Sequence, residues 1–404
     1  MKTRDADLRA LPRWPAAFNE VPKWAFEDPD VFELEIDRIF KAPIWHPVAH
    51  DAEIPKPGDF KTVNVGRTPL LIQRGQDGVV RAFHNSCTHR STKLAMAFLG
   101  NRTDIECPYH RWLFDLEGNL RACPGQAEFP PDFKRENYNL YQARHDSFYG
   151  LHFVSLHANP PPLTQWIGVL AEPARQTLGH DGRLKLLGYQ KVLYQSNWKV
   201  YIDNDAFHAP LLHTAFRMLG WQGGRGRQQR EDTGNMVIQS EMDPQKDSGL
   251  LRDPSVIGYQ GGDSPRNKAA GQGAGSTLPL FFPMVVVANH LDVFSIRYAN
   301  PMGVDQVEVH YAYFAHQDDD EAMVRHRLRQ SSNMLGPSGF VSLEDATVFM
   351  RIQAALGTDP AQTYFLKGWR EGANLYDTKQ NDEAPNALWW ETYRRMMGFE
   401  RASA

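Results

Sequence analysis

The sequence predicts an α+β fold in two parts: a small all-β domain over 41–157, then a larger domain over 158–404 with an antiparallel sheet flanked by helices. Three observations carry this. Residues 41–155 hold short β-type runs separated by turn residues. The prolines of HANPPPL (157–163) cannot lie in a helix or a central strand and mark a stiff linker. Beyond it, β-type runs and stretches of helical spacing occur in separate blocks.

Taken in order, residues 1–40 are polar with scattered aromatics. PDVFELEIDRIF (29–40) has helical spacing and is expected to pack as a helix on the larger domain. In the small domain FKTVNV and PLLIQR read as strands between the turn signals PKPGD, RGQDG and LEGN. TQWIGVLAEPARQTLGH (164–180) predicts a helix that kinks or restarts at Pro173. KLLGYQKVLYQSNWKVY (185–201) begins as a strand and turns helical near Asn197. Residues 217–277 are rich in Gly, Gln, Asp and Arg without periodicity, and are expected as an irregular lid. The strands FPMVVVAN, DVFSIRYAN and VEVHYAYFAH follow. In the last, Val307, Val309, Tyr311 and Tyr313 share one face. Segments 320–336, 343–356 and 386–398 read as helices.

The bulk properties exclude several classes. Acidic residues outnumber basic ones 48 to 44, for a net charge of −4, which leaves no electrostatic footprint for nucleic acid or an anionic membrane. No run approaches the roughly 18 apolar residues of a membrane span. The N-terminus, MKTRDADLRALPRWPAAFNE, has no apolar core of a secretory signal. Three cysteines make no disulfide framework, and the expected compartment is the cytoplasm, where thiols stay reduced and can bind metal.

Two of the three cysteines stand beside histidines: Cys87-x-His89, then 17 residues, then Cys107-x-x-His110. A structural zinc site pairs cysteines with cysteines or carries four of them. One Cys and one His from each half suits a cluster of two unlike irons, two thiolates on one and two imidazoles on the other. Neutral histidines raise its reduction potential and make it a mild electron relay. Pro108 and Gly118 are residues that tight ligand loops use. Through CTHR, CPYHRWLFD and GNL the chain resembles the Rieske family. It departs at Ser91 and Arg111, where members often carry glycine. Cys123 is left over and reads as a buried bystander.

The residues after the linker hold a second constellation, Asp205-x-x-His208-x4-His213. Histidines five apart are offset by about 140° on an ideal helix, so the helix must bend or end near Ala209-Pro210 to bring them together. Two histidines and a distant carboxylate make the facial triad of non-heme Fe(II) oxygenases. GPSGFVSLEDATVFMRIQ (336–353) is the best source of the carboxylate. An acidic pair there also suits a helix start.

The stretches NWK…HAPLLHTAF and GPSGFVSLED resemble the catalytic alpha subunit of Rieske non-heme iron ring-hydroxylating oxygenases, in particular salicylate hydroxylases, terephthalate dioxygenases and benzoate-type members. The resemblance implies a helix-grip, START-like catalytic domain. It implies a [2Fe–2S] cluster on Cys87, His89, Cys107 and His110, and a mononuclear Fe(II) on His208, His213 and Asp345 rather than Glu344. It makes Asp205 the electron-transfer bridge to His110 of the next subunit in a homotrimer, or in an α3β3 assembly with a small beta subunit. The spacer before Asp205 is about two residues shorter than in relatives, which leaves Asp203 as a rival. O2 would be co-substrate. NAD(P)H would act only through a separate reductase, with or without a ferredoxin, since GGRGR and GQGAG do not join a strand to a helix. The expected activity is hydroxylation or cis-dihydroxylation of a benzoate-type acid. Alternatives are an O- or N-demethylating monooxygenase and, outside enzymes, a structural zinc protein. Arg297, on a core strand, either forks a substrate carboxylate or pairs within the protein. It and Asn204 are the candidate substrate-binding residues.

Overall fold

The computed structural model describes residues 13–206, 225–241, 275–290 and 292–403. The chain divides into two compact units, residues 40–163 and the residues before 40 together with those from 164 onward.

The 40–163 unit is built from ten short strands: β1 (His46–His50), β2 (Asp59–Val65), β3 (Thr68–Arg74), β4 (Val80–His84), β5 (Leu99–Asn101), β6 (Ile105–Glu106), β7 (Leu113–Phe114), β8 (Leu120–Ala122), β9 (Arg144–Phe148) and β10 (Leu151–Ser155). They form three antiparallel sheets, ordered β9-β10-β1, β4-β3-β2-β5 and β6-β7-β8. One core joins the last two sheets through Phe60, Leu71, Phe83, Trp112 and Phe114. The turn after β7 shows local sequence at work. Asp115 accepts from the backbone N–H of Glu117 and Asn119. Gly118 sits at φ +88°, where an added Cβ would come within 2.5 Å of the Phe83 ring.

The larger unit is an eight-stranded antiparallel sheet with helices. Its strands are β11 (Leu184–Tyr194), β12 (Arg225–Arg230), β13 (Met236–Glu241), β14 (Gly275–Phe281), β15 (Val285–His290), β16 (Val293–Gly303), β17 (Gln306–His316) and β18 (Asp377–Lys379). Their order is β11-β17-β16-β15-β14-β13-β12-β18. Its main helices are α1 (Pro29–Arg38), α2 (Ala171–Thr177), α3 (Trp198–Ala206), α4 (Glu321–Gln330), α5 (Phe340–Ala355) and α6 (Asn386–Met397). Helix α1 starts where its sequence dictates: the Asp28 carboxylate accepts from the N–H groups of Asp30 and Val31, and Pro29 occupies the first turn.

Two expectations change. The 217–277 segment is not wholly irregular, because β12 and β13 fall inside it. The polar composition of β12 hid it: Gln228 is buried, and its amide donates to the carbonyls of Lys379, Gln380 and Asp382. Residues 231–235 join the two strands and 275–277 open β14, while 217–224 and 242–274 lie outside the described residues. The 164–180 helix is broken. Gly168 turns left-handed at φ +51° and the helix restarts at Ala171, with Pro173 accommodated in its first turn.

Helix α3 is held by ion pairing at zero exposure. Glu35 of α1 accepts from Lys199 Nζ at 2.5 Å, from Trp198 Nε1 at 2.7 Å and from the Tyr393 hydroxyl of α6. Removing either ion strands the other in the core. Lys199→Met and Glu35→Gln should each cost about 3–5 kcal/mol, and the double variant clearly less than their sum. Urea unfolding of the four proteins checks this.

Candidate functional site

The four Cys and His residues lie on two loops of the 40–163 unit, one after β4 and one between β6 and β7. The loops close with the same bonds. The Cys87 N–H donates to the Thr92 carbonyl (2.8 Å), and the Ser91 N–H to the Cys87 carbonyl (2.9 Å). In the second loop Cys107 donates to Trp112 (2.8 Å), and Arg111 to Cys107 (3.0 Å). This closure needs a left-handed residue at its fourth step, and Ser91 (φ 56°) and Arg111 (φ 60°) take it despite their side chains. Asn85 braces the first loop, donating to the Ala95 carbonyl and accepting from the Leu94 and Ala95 N–H groups.

Both thiols are buried and adjacent, and burial together with Cys107 pushes the Cys87 thiol up to about 11. The His89 and His110 rings lie 4.7 Å apart. His110 Nδ1 is buried with no hydrogen-bond partner among the described residues. The thiols adjoin each other, as do the imidazoles, so the donors stand as two pairs. Paired thiols, paired imidazoles and an orphaned ring nitrogen fit a [2Fe–2S] group with two unlike irons. Cys123 stays in the core, its sulfur 3.7 Å from Gln126 Oε1.

In the larger unit His208 and His213 lie outside the described residues, as does the bend expected at Ala209-Pro210. Asp205 is within α3, and Asn204 beside it is half-buried. Asp203 faces α6, where its carboxylate accepts from Asn386 Nδ2 (2.7 Å) and Trp390 Nε1 (3.2 Å). Burial pushes that carboxyl up to about 6 against these bonds. Its engagement with α6 weakens it as a rival for the bridging role.

Asp345 lies in the second turn of α5, half-buried. The turn before it is tight, since a Cβ at Gly339 would meet the Met334 backbone at 2.4 Å. Helices α5 and α3 run antiparallel. The Asn197 N–H donates to Gln353 Oε1 at 2.7 Å, and one turn on, Tyr201 meets Phe349 edge-on at 6.1 Å.

Arg297 is buried on β16, in register with Val286 and Tyr311. Its guanidinium lies 5.4 Å from the Tyr311 ring centre. The Tyr311 hydroxyl is 2.9 Å from that of Tyr194, whose ring meets Phe349 of α5 edge-on. Arg297 therefore occupies the sheet face on which the Asp345 helix packs. His290 shares that face, and burial, then the Arg297 charge, push it down to about 3. The Tyr313 hydroxyl donates to Gln190 Oε1 at 2.8 Å. Arg297 stands out in the sequence, but His290 and Gln190 do not, and the alternation of VHYAYF signals only a core face for Tyr311 and Tyr313.

The chain matches the Rieske [2Fe-2S] domain over residues 44–139 and the ring hydroxylating alpha subunit (catalytic domain) over residues 176–380. It belongs to the family of ring-hydroxylating oxygenase alpha subunits, Rieske-type iron enzymes that use O2. It is 28% identical over 402 residues to the anthranilate 1,2-dioxygenase large subunit of Burkholderia cepacia, covering 94% of each chain. It is 29% identical over 366 residues to the large oxygenase component of salicylate 5-hydroxylase from Ralstonia sp., covering 83% of this chain and 85% of that one. The fold matches naphthalene 1,2-dioxygenase from Rhodococcus sp. with a TM-score of 0.81 at 21% identity, over 94% of both chains. Among the described residues no helix is long and apolar enough to cross a membrane.

The left-handed loop residues give a stability prediction. A non-glycine residue there is strained by about 1–2 kcal/mol, partly offset by the unfolded-chain entropy of glycine. Ser91→Gly should therefore stabilise the protein by on the order of 0.5–1 kcal/mol, read as a higher urea midpoint. Arg111→Gly should gain less, because it also removes the ion pair with Glu106.

Proposed function

We propose that this chain is the terminal oxygenase component that hydroxylates or cis-dihydroxylates the ring of a benzoate-type aromatic acid. Electrons come from a separate reductase, with or without a ferredoxin. Cys87 and Cys107 are assigned as thiolate ligands of one cluster iron, and His89 and His110 as imidazole ligands of the other. Asp345, His208 and His213 are assigned to the mononuclear iron. When bound, the two groups supply an electron relay and O2 activation. Residues 40–163 then form the relay domain, and the remainder the catalytic domain.

The observation that carries the substrate class is Arg297. A buried guanidinium on the sheet face beneath the Asp345 helix can meet a carboxylate through two parallel N–H···O bonds. The relatives' names point the same way, since anthranilate and salicylate are aromatic carboxylates. The guanidinium lies over Tyr311, which is linked through Tyr194 to Phe349 of α5. Asp205 is assigned as the bridge to the partner's His110 in a homotrimer or an α3β3 assembly. A cytoplasmic location completes the proposal.

Two variants test it. Asp345→Asn should lose the mononuclear iron and on the order of 100-fold or more of turnover, while the reduced-cluster EPR signal persists. A variant that keeps its iron would remove Asp345 from the ligand set. Arg297→Met should raise KM for a carboxylated ring by about 10- to 150-fold, the equivalent of a charged hydrogen bond worth about 1.5–3 kcal/mol. A neutral analogue should change little. Equal changes for both would end the carboxylate assignment. Peroxide-driven turnover of benzoates, neutral arenes and aryl methyl ethers, followed by mass spectrometry, reads the reaction type. Formaldehyde with a demethylated product would move the chain to the demethylases.

A further inference from the structure

The His89 ring lies flat on the indole of Trp112. Their centroids are 4.7 Å apart and their planes differ by 7°. Trp112 is 3% exposed, whereas His89 is exposed at the surface of the unit. The indole is itself caged. Tyr138 meets it edge-on at 5.7 Å, with Phe133 and Phe129 each at 6.2 Å. Phe133 and Tyr138 stack on each other at 4.9 Å. The Tyr138 carbonyl accepts from Thr88 Oγ1 at 2.6 Å, which ties the cage to the first ligand loop. The indole cannot turn without displacing these rings.

The stack crosses between the loops, for His89 belongs to the first and Trp112 to the second. A weaker contact crosses the other way, with the Arg90 guanidinium 5.5 Å from the Tyr109 ring centre. Tyr109 lies against His110, with centroids 3.7 Å apart and planes tilted by 33°. Tyr109 is 55% exposed and has no comparable cage among the described residues. The two imidazoles therefore differ: one is clamped against a buried wall, the other against a surface ring.

We propose that Trp112 is a positioning residue that sets the ring plane of His89, and through it the electronic properties of the histidine-ligated iron. The terminal torsion of histidine is broad, so a ligand imidazole without a wall would sample a range of ring planes. A face-to-face stack on an immobile indole narrows that range and shields one imidazole face from water. Ligand orientation and the shell around a metal tune its potential. This rests on the assignment of Cys87, His89, Cys107 and His110 as cluster ligands.

The test compares the cluster-loaded parent with Trp112→Leu, Trp112→Phe and Phe133→Leu. The last trims the cage and leaves the residue stacked on His89 unchanged. EPR g values of the reduced protein and its midpoint potential are recorded, with Tm as the measure of folding. Trp112→Leu should broaden and shift the g values and move the potential. Trp112→Phe, with a smaller ring overlap, should fall between Leu and the parent. Phe133→Leu, which loosens one wall of the cage and leaves Phe129 and Tyr138, should lower Tm and shift the spectrum and potential less than Trp112→Leu. If the Trp112 variants lower Tm and keep the parent spectrum and potential, Trp112 is only core and the proposal falls. Should Trp112→Leu fail to take up the cluster, Trp112→Phe decides: displacement from the parent supports the proposal, and superposition overturns it. A parent that takes up iron and sulfide but gives no Rieske-type signal when reduced would instead sink the ligand assignment.

Discussion

Three consecutive residues, Asn197, Trp198 and Lys199, form the polar hub on which the larger unit depends. Each is fully buried, and each side chain carries a polar group that must be matched. Asn197 donates to the carbonyls of Phe26 and Val304, and its N–H reaches Gln353. Trp198 and Lys199 converge on the Glu35 carboxylate, which Tyr393 also engages. The N-terminal region, β16–β17 turn, α5 and α6 are thereby tied to the start of α3. A buried carboxylate with three donors tolerates little displacement, because moving any partner leaves a charge in a dry core. The start of the helix that leads to His208 is thus held more firmly than apolar packing alone would hold it. Asp203 adds a second anchor one turn beyond Lys199, through Asn386 and Trp390 of α6.

The 40–163 unit solves its positioning problem differently. Its ligand loops are short, and their closure places residues in left-handed conformation at Ser91 and Arg111. Glycine would take that conformation with less strain. Polar side chains there keep donors and charge at the exposed rim, and Arg111 pairs with Glu106. Rigidity comes instead from bracing: Asn85 under the first loop, Thr88 on the Tyr138 carbonyl, and Trp112 across both loops. Strain in the loops is borne by hydrogen bonds at their base and aromatic walls at their sides.

Much of this was legible in the chain. The Cys/His spacing, the turn chemistry and the proline linker each act over a few residues, and local rules describe them well. The switch from strand to helix at Asn197 was equally local: β11 ends at Tyr194 and α3 starts at Trp198. Strand β12 is hidden in the sequence because polar residues replace the usual alternation. Gln228 and Arg230 can face inward only because β18 and α6 supply their partners, among them Asn386 for Arg230. The break at Gly168 was also hidden, since a left-handed glycine within a helical pattern leaves no mark in the spacing.

By itself, then, the sequence determined the chemical inventory: which donors exist, in what local order, and on which kinds of element. It also determined that the chain has a β-rich part and a mixed part, because hydrophobic period is a local property. Only the tertiary structure decided which distant groups meet. The antiparallel contacts Asn197–Gln353 and Tyr201–Phe349 join α3 to α5, the helix that carries Asp345, although the two are far apart in the chain. Cross-strand pairing put Arg297 beside Tyr311 on the face beneath that helix, and a flat stack joined His89 to Trp112. Such meetings depend on packing between separate elements, and no window of sequence contains both partners and the surface between them.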